Sequence, residues 1–375
     1  MMEKFEIINL IENKYLYYDY IKTNLMKTWN FIKQIDNKEE FFEQLYLFLN
    51  NQLDPHTKLI DRDKFNYILP IYFTEMNNSI VVTGCLDEYS KVINPGDVLT
   101  HINGIHVDDY IHLNNIDSFD RGKILELIKI IENISYSKIQ NKIKLRFQRK
   151  NYNFEVLVFY GKICNNFFDS NSEKKNKKKL NYSKLLDGEI CYIRLPNLNN
   201  DILVKEAIAE IRNKGKKYYI ILDIRNNMGG KIDLATSLTS VFLEKNTTIY
   251  LKTRNTIETL DIISENNYFK YPVTILFNNM TASSLEYVFL NQILKNDRIL
   301  LLGNKTAGMK DIATVLRLND RYNLILTTKK YVDHNGRSIV KNCISPDIEI
   351  PTSIKDFIDF PDKQLLRAID ILRKR

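Results

Sequence analysis

The sequence predicts an α/β protein in which a helical N-terminal region and a β-rich module precede an α/β core. Three observations lead to this class. Apolar residues recur at helical spacing from residue 1 to about residue 53, and short alternating runs fill residues 78–162. Beyond residue 183, short apolar runs alternate with amphipathic stretches, which is the order of strands and helices in an α/β domain.

The composition is that of an ordinary soluble globular protein. The chain has 375 residues, 44% of them hydrophobic and 27% charged, which is enough for two or three domains. Its formal charge of +8 raises the question of nucleic-acid binding. However, much of the excess lies in the lysine run 174–179 and at the C-terminus, and is not interleaved with aromatic residues. We therefore predict a solvated linker there and no nucleic-acid partner.

The cysteines and the hydropathy pattern bear on the compartment. The cysteines lie far apart, with no C-x-x-C pair and no histidine at zinc spacing, so we predict free thiols, no metal and no cofactor. The N-terminus lacks the unbroken apolar run of a signal peptide, and no segment approaches a membrane span. We expect a cytoplasmic protein without a membrane partner. The four cysteines are Cys85, Cys164, Cys191 and Cys343.

The N-terminal region, predicted as residues 1–75, ends its helices at a proline. Residues 38–53 carry one apolar face at helical spacing, and Pro55 disfavours helical geometry in Asp54. His56 and Thr57 follow directly. The apolar face consists of Phe41, Phe42, Leu45, Phe48 and Leu49.

The β-rich module is predicted at residues 76–164. Four strand-like runs surround an amphipathic helix over 120–134, and Asn103-Gly104 is a tight-turn signal. The stretch NPGDVLTHINGIHV resembles the strand–turn signature of PDZ domains. The glycine-rich carboxylate-binding loop of that family is not found before it, so the resemblance indicates a PDZ-like fold more than peptide capture by strand addition. The runs are SIVVTG, DVLTHING, KIKLRFQR and NFEVLVFY.

The core is predicted at residues 183–375, after a polar linker at 165–182. Its predicted helices cover about 201–214, 231–244, 284–295 and 363–375. Its predicted strands are GEICYIRLP, YYIILDI, YPVTILF, RILLL, TVLRL and NLILTT.

Two stretches of the core carry candidate chemistry. Ser283 follows an apolar run and a polar turn at the start of a helix, where free N–H groups and the helix dipole suit a developing oxyanion. Ser283 with Glu286 also matches a capping box, and this stretch alone favours the cap. Gly229-Gly230 ends ILDIRNNMGG and allows a close backbone approach, although an ordinary turn has the same sequence.

These stretches, with GNKTAGMKDIATV and YVDHNGRSIVKNCISPDIEIP, resemble a family of serine peptidases. Its members are the C-terminal (tail-specific) processing proteases and the tricorn core proteases, and the resemblance covers about residues 185–351. It implies a ClpP/crotonase-like core with Ser283 as nucleophile. Gly229 or Gly230 and the N–H of Ser284 would bind the oxyanion, and an acyl-enzyme would form on Ser283.

The general base departs from the family pattern. Met309 stands where tail-specific proteases have their lysine, and Lys310, one residue away, is the weaker alternative because a one-residue slip changes the side that a side chain faces. His56, in DPHT, stands where the tricorn-like branch has its histidine base. The glutamate that supports this histidine in that branch falls near 339–341 and is absent here.

Two hypotheses therefore stay open. The first is a cytoplasmic serine-type endopeptidase that cleaves peptides or unstructured protein tails. The second is a catalytically inactive peptidase-fold protein that binds extended peptides. An acyl-CoA-handling relative is a third and weaker alternative, and the sequence does not determine the oligomeric state.

Overall fold

The computed structural model describes most of the chain outside the predicted linker. The predicted helix over 120–134, the linker at 165–182 and Lys310 lie outside the described residues. The described residues are 2–54, 56–62, 67–76, 78–85, 89–114, 142–159, 161–162, 183–186, 188–265, 268–294, 296–309, 311–337, 339, 343–351 and 362–374.

The chain forms two compact units, and each is interrupted in sequence. The first unit comprises residues 1–171, 253–256 and 311–329. The second unit comprises residues 172–252, 257–310 and 330–375. The domain bounds predicted from the sequence remain predictions.

The helices and strands up to residue 162 belong to the first unit. The helices are α1 (Lys4–Lys14), α2 (Tyr18–Tyr20), a π-helical turn (Ile21–Leu25), α3 (Met26–Gln34), α4 (Lys38–Gln52) and α5 (Val107–Asn114). The strands are β1 (Lys58–Asp61), β2 (Tyr67–Ile68), β3 (Ile71–Met76), β4 (Ser79–Cys85), β5 (Val98–Ile102), β6 (Ile105–His106), β7 (Lys142–Arg149), β8 (Tyr152–Phe159) and β9 (Gly161–Lys162).

The remaining elements lie mostly in the second unit. The helices are α6 (Asp201–Lys214), α7 (Ile232–Ser240), a π-helical segment (Leu285–Leu290), α8 (Asn291–Ile293) and α9 (Lys363–Arg373). The strands are β10 (Ser183–Leu186), β11 (Ile190–Arg194), β12 (Tyr219–Asp223), β13 (Thr247–Lys252), β14 (Ile257–Ile262), β15 (Val273–Phe277), β16 (Ile299–Gly303), β17 (Asp311–Arg317), β18 (Tyr322–Val332) and β19 (Ile348–Glu349). Among the helices described, none is both long and apolar enough to cross a membrane.

The N-terminal helices pack around one apolar core, as their periodicity predicts. Asn37 caps α4 by accepting hydrogen bonds from the N–H groups of Glu39 and Glu40. The Trp29 ring is fully buried and stacks on Phe48, with 5.3 Å between ring centroids. Helix α4 ends at Gln52, so the predicted stop ahead of Asp54 is confirmed.

The β-rich module is an antiparallel sheet in the order β3-β4-β5-β7-β8. Its four predicted strands are confirmed. Strand β7 alternates exposed and buried residues, with Ile143, Leu145 and Phe147 fully buried, because successive side chains point to opposite faces. Asn103 and Gly104 both have positive φ in the turn before β6, as the tight-turn signal predicts.

The main sheet of the second unit has the order β10-β11-β12-β15-β16-β19 and is parallel from β11 onward. Strand β12 is buried on both faces, as its continuous apolar run predicts. Helix α9 covers one face by packing Ala368 and Leu372 against Ile221, Leu276 and Leu302. Because neighbouring strands are parallel, the loops that leave β12, β15 and β16 emerge at the same edge.

The sequence did not predict the antiparallel pair β13–β14. Polar residues interrupt both strands, and β14 buries only Ile262 at its end. The π-helical geometry of Leu285–Leu290 was not predicted either, because the i→i+5 bond leaves the apolar periodicity of a short segment almost unchanged.

We expect Trp29→Ala to destabilise the first unit by about 3–5 kcal/mol, because it leaves a large cavity in a fully buried cluster. Urea unfolding followed by circular dichroism measures the change. Phe31→Ala is the matched control, since Phe31 lies in the same helix and is 54% exposed. Equal losses in the two variants would contradict the packing described.

Candidate active site

Three loops meet at the carboxyl edge of the main sheet. They follow β12, β15 and β16, which are adjacent in the sheet and paired in parallel. In open α/β sheets this edge is where ligands bind. The sequence places the candidates Gly229-Gly230 in the first loop and Ser283 in the second, and the third loop carries Met309.

The first two loops are joined by a set of hydrogen bonds. The Asn278 side chain accepts from Asn226 N–H at 2.9 Å and donates to the Asn226 side-chain oxygen at 2.8 Å. The Thr281 hydroxyl donates to the carbonyl of Ile224 at 3.0 Å. Ala282 N–H donates to the carbonyl of Asn227 at 3.2 Å. The loop that carries Ser283 is therefore fixed against the loop that carries the glycines.

Ser283 has a backbone conformation that residues other than glycine rarely adopt. Its φ is +57°, and the other non-glycine residues with positive φ in the described ranges are Asn78, Asn103, Lys150 and Asn226. Asparagine tolerates this region, and Lys150 lies in a hairpin turn, whereas Ser283 is a serine at the start of a helix. Strained conformations of this kind concentrate at active sites, where the surrounding structure maintains them.

The capping-box interpretation of Ser283 is only half realised. Glu286 accepts a hydrogen bond from Ser283 N–H at 3.1 Å, as the motif requires. Glu286 N–H, however, donates to the backbone carbonyl of Ser283 at 3.0 Å. Within the part of the chain that is described, no residue hydrogen-bonds to the Ser283 hydroxyl. The hydroxyl is thus available for chemistry, and the half-buried side chain leaves it accessible.

Glu286 ties the second loop to the third. Its fully buried carboxylate also accepts from Gly308 N–H at 2.7 Å and from Met309 N–H at 2.8 Å. Burial raises the pKa of Glu286 to about 7, while hydrogen bonds from Thr306 and from these N–H groups favour the charged form. The sequence indicated Glu286 only as a helix cap, so its role between the loops was missed.

Gly229 lies directly against the candidate nucleophile. Its φ is +87°, and a Cβ there would lie 2.9 Å from the carbonyl oxygen of Ala282 and 3.1 Å from the Ser283 Cβ. Only glycine fits this position without moving the turn. The predicted close backbone approach is therefore present, and Gly229, Gly230, Ser283 and Ser284 are brought together.

The predicted oxyanion donors differ in their partners. Gly229 N–H donates to the Asn227 side chain at 2.9 Å, and Gly230 N–H donates to the Ser284 hydroxyl at 3.1 Å. The Ser284 hydroxyl in turn donates to the carbonyl of Gly230 at 3.2 Å. The N–H of Ser284 has no acceptor among the described residues. Asn227 was not singled out in the sequence, since an asparagine two residues ahead of a glycine pair is typical of an ordinary turn.

The residues considered for the general base lie in different parts of the chain. Met309 contributes its N–H to Glu286, and its side chain carries no proton acceptor of the kind a base needs. His56 belongs to the first unit, where its N–H donates to the buried carboxylate of Asp54 at 3.1 Å. No cluster of histidine, cysteine, aspartate or glutamate within the described ranges is arranged to hold a metal ion.

Part of the chain matches the model of a known family. Residues 189–350 match the model of peptidase family S41. The chain is therefore similar to S41 peptidases over this region. It is 26% identical over 266 residues to a probable CtpA-like serine protease of Staphylococcus aureus (strain N315), covering 69% of this chain and 47% of that protein. The chain thus spans about half the length of this relative.

Three further proteins are similar to this chain. The chloroplastic carboxyl-terminal-processing peptidase 1 of Arabidopsis thaliana is 30% identical over 164 residues, covering 42% of this chain and 33% of that protein. The crystal structure of mature CPAF matches 98% of this chain and 95% of its own, with a TM-score of 0.66 and 14% identity. The photosystem II D1 C-terminal processing protease matches 92% of each chain, with a TM-score of 0.58 and 16% identity. These two structures establish a shared fold.

We expect Gly229→Ala to lower the melting temperature more than Gly188→Ala. Both glycines have positive φ, so both variants incur a backbone cost of about 1–2 kcal/mol. Only the Gly229 variant also places a Cβ against the Ser283 turn, whereas Gly188 has open space around it. Differential scanning fluorimetry compares the two. Equal shifts would contradict the close approach described.

The raised pKa of Glu286 predicts a pH-dependent stability. Its pKa rises from the ordinary value of 4.5 to about 7, so the folded protein binds more protons than the unfolded chain between these values. The contribution is therefore present below pH 4.5 and lost as pH rises to 7. We expect the melting-temperature difference between wild type and Glu286→Gln to narrow over this range.

The matched control for this prediction is Glu244→Gln. Glu244 is exposed and pairs with Arg298 at 3.0 Å, so its replacement is expected to give a small offset without this pH trend. A difference for Glu286→Gln that widens from pH 4.5 to 7 would show that the folded pKa of Glu286 is not raised.

Proposed function

We propose that this chain is a serine-type endopeptidase that hydrolyses peptide bonds in peptides or unstructured protein tails through an acyl-enzyme on Ser283. The observation that carries the proposal is the geometry of Ser283. Its hydroxyl has no partner in the described structure, its backbone is held in a strained conformation, and it stands at the ligand-binding edge of the S41 region.

The surroundings of Ser283 support acyl transfer. The N–H of Ser284, at the start of the helical segment, is a donor without an acceptor in the described structure, and the helix dipole adds positive potential there. Gly229 and Gly230 would contribute their N–H groups to the oxyanion by releasing Asn227 and the Ser284 hydroxyl. The tetrahedral intermediate would then collapse to the acyl-enzyme, which water hydrolyses.

His56 is the proposed general base. A serine hydroxyl is a weak nucleophile until a base removes its proton, and a neutral imidazole performs this step near pH 7. Met309 removes the usual lysine, and His56 stands in the sequence where the tricorn-like branch has its base. Lys310 is the alternative base.

The finer features of the fold belong to the same proposal. We infer a ClpP/crotonase-like core in the second unit and a PDZ-like fold for the sheet β3-β4-β5-β7-β8. The parallel sheet with helices supports the first, and the strand–turn signature ending in Asn103-Gly104 supports the second. The cytoplasm stays the predicted compartment, and peptide or protein substrates are the predicted partners.

We expect a fluorophosphonate probe to label the wild-type protein and not Ser283→Ala, because the probe reacts only with an activated serine. Mass spectrometry of the labelled peptide identifies the site. Ser237→Ala is the control, since Ser237 is exposed and its hydroxyl donates to a carbonyl of its own helix. A folded wild-type protein that is not labelled, but binds extended peptides, would favour the inactive peptide-binding alternative.

Labelling rates also test the base. We expect His56→Ala to reduce the rate by about 10²–10⁴-fold, the usual contribution of a general base. His112→Ala is the matched control because His112 is an exposed histidine of the same unit. If Lys310→Ala abolishes labelling and His56→Ala leaves it unchanged, the base is Lys310.

A further inference from the structure

A buried carboxylate lies two residues before His56. Asp54 is fully buried, and its Oδ2 accepts from the Tyr15 hydroxyl at 3.0 Å. Its Oδ1 accepts from the Thr327 hydroxyl at 2.6 Å and from the N–H groups of His56 and Thr57 at 3.1 and 3.3 Å. These donors come from the end of α1, from β18 and from the turn after α4. The carboxylate is therefore held in one position from three sides.

The His56 ring faces this carboxylate. Its Nδ1 lies 3.9 Å from Asp54 Oδ1, and its side chain is 21% exposed while that of Asp54 is 1% exposed. The two ring nitrogens of histidine lie on opposite sides, so Nε2 is directed away from Asp54 when Nδ1 faces it. A negative charge at this distance in a buried position favours a proton on Nδ1.

We propose that Asp54 is the positioning residue for His56, holding the neutral imidazole with its proton on Nδ1 and stabilising the imidazolium during catalysis. The proposal rests on the proposed function, in which His56 is the general base. In the step concerned, the Ser283 hydroxyl proton moves to Nε2 as its oxygen bonds the substrate carbonyl, and Nε2 then protonates the leaving amine. Asp54 takes no part in the proton transfer itself.

This assignment supplies the orienting group that the sequence lacks near residues 339–341. A carboxylate that orients a histidine must itself be rigid, and the contacts of Asp54 meet this requirement. Burial and the charge of Asp54 raise the pKa of Tyr15 far above its usual value, so its hydroxyl remains a donor to the carboxylate. Tyr15 therefore fixes Asp54 without competing for a proton.

The alternative is that Asp54 only joins three elements of the fold, and two matched variants separate the roles. Thr327→Val removes the 2.6 Å hydrogen bond to Oδ1 but leaves the charge of Asp54 in place. Asp61→Asn removes another buried carboxylate of the first unit, one that pairs with Arg321 at 2.8 Å. Asp61→Asn is expected to lower stability while changing the labelling rate less than threefold. Thr327→Val is expected to lower the labelling rate less than Asp54→Asn does, because the charge of Asp54 stays in place.

The experiment measures fluorophosphonate labelling at saturating probe for Asp54→Asn, His56→Ala and the double variant, with nitrogen chemical shifts of the His56 ring as a second readout. We expect Asp54→Asn to lower the rate by about 100-fold or more, since the tautomer is lost. The apparent affinity for the probe should stay within about threefold, and the Nδ1–H tautomer should lose population. In the His56→Ala background, Asp54→Asn should have no further effect.

The outcomes separate this inference from the proposed function. If His56→Ala keeps its labelling, the proposed base is wrong, and the proposal for Asp54 falls with it. If His56→Ala loses labelling but Asp54→Asn lowers the labelling rate no more than Thr327→Val does, only the role of Asp54 is overturned. If Asp54→Asn does not fold, the wild-type protein still provides a test. A His56 ring with the same tautomer populations as free histidine would also overturn the role of Asp54.

Discussion

The carboxylate of Glu286 is the interaction on which the candidate site depends. It is fully buried, and it receives N–H groups from Ser283, Gly308 and Met309. A buried anion is tolerated only where donors surround it, so the loops after β15 and β16 must keep the positions that bring these N–H groups together. The same bond anchors the N–H of Ser283 and so helps to maintain its left-handed backbone.

This arrangement explains how the third loop keeps its place in the candidate site without a lysine at position 309. Met309 contributes through its backbone N–H, which any residue other than proline would supply. The loop therefore retains its structural role while the side chain no longer offers a base. Under the proposed function another residue has to supply the base, and His56, with Asp54 beside it, and Lys310 are the proposals.

The loop that carries Gly229 and Gly230 and the turn that carries Ser283 form one interlocked structure. Ser284 uses its hydroxyl to accept from Gly230 N–H, and Asn227 accepts from Gly229 N–H, so both glycine donors are already oriented and satisfied. A carbonyl oxygen that becomes an oxyanion is a stronger acceptor than a hydroxyl or an amide oxygen, because it carries charge. Exchange of these partners would therefore favour the transition state over the resting protein.

Local pattern in the sequence determined the helices of the N-terminal region, the strands of the β-rich module, most of the α/β core and the candidate status of Ser283 and Gly229. These features follow from periodicity, turn chemistry and motifs that act over a few residues. Only the tertiary structure decided whether the Ser283 hydroxyl caps the helix or stays free among the described residues. It also revealed which donors surround the carboxylates of Glu286 and Asp54. Their long-range partners lie 22 to 273 residues away in the chain, and no local pattern records which distant donors a buried carboxylate will meet.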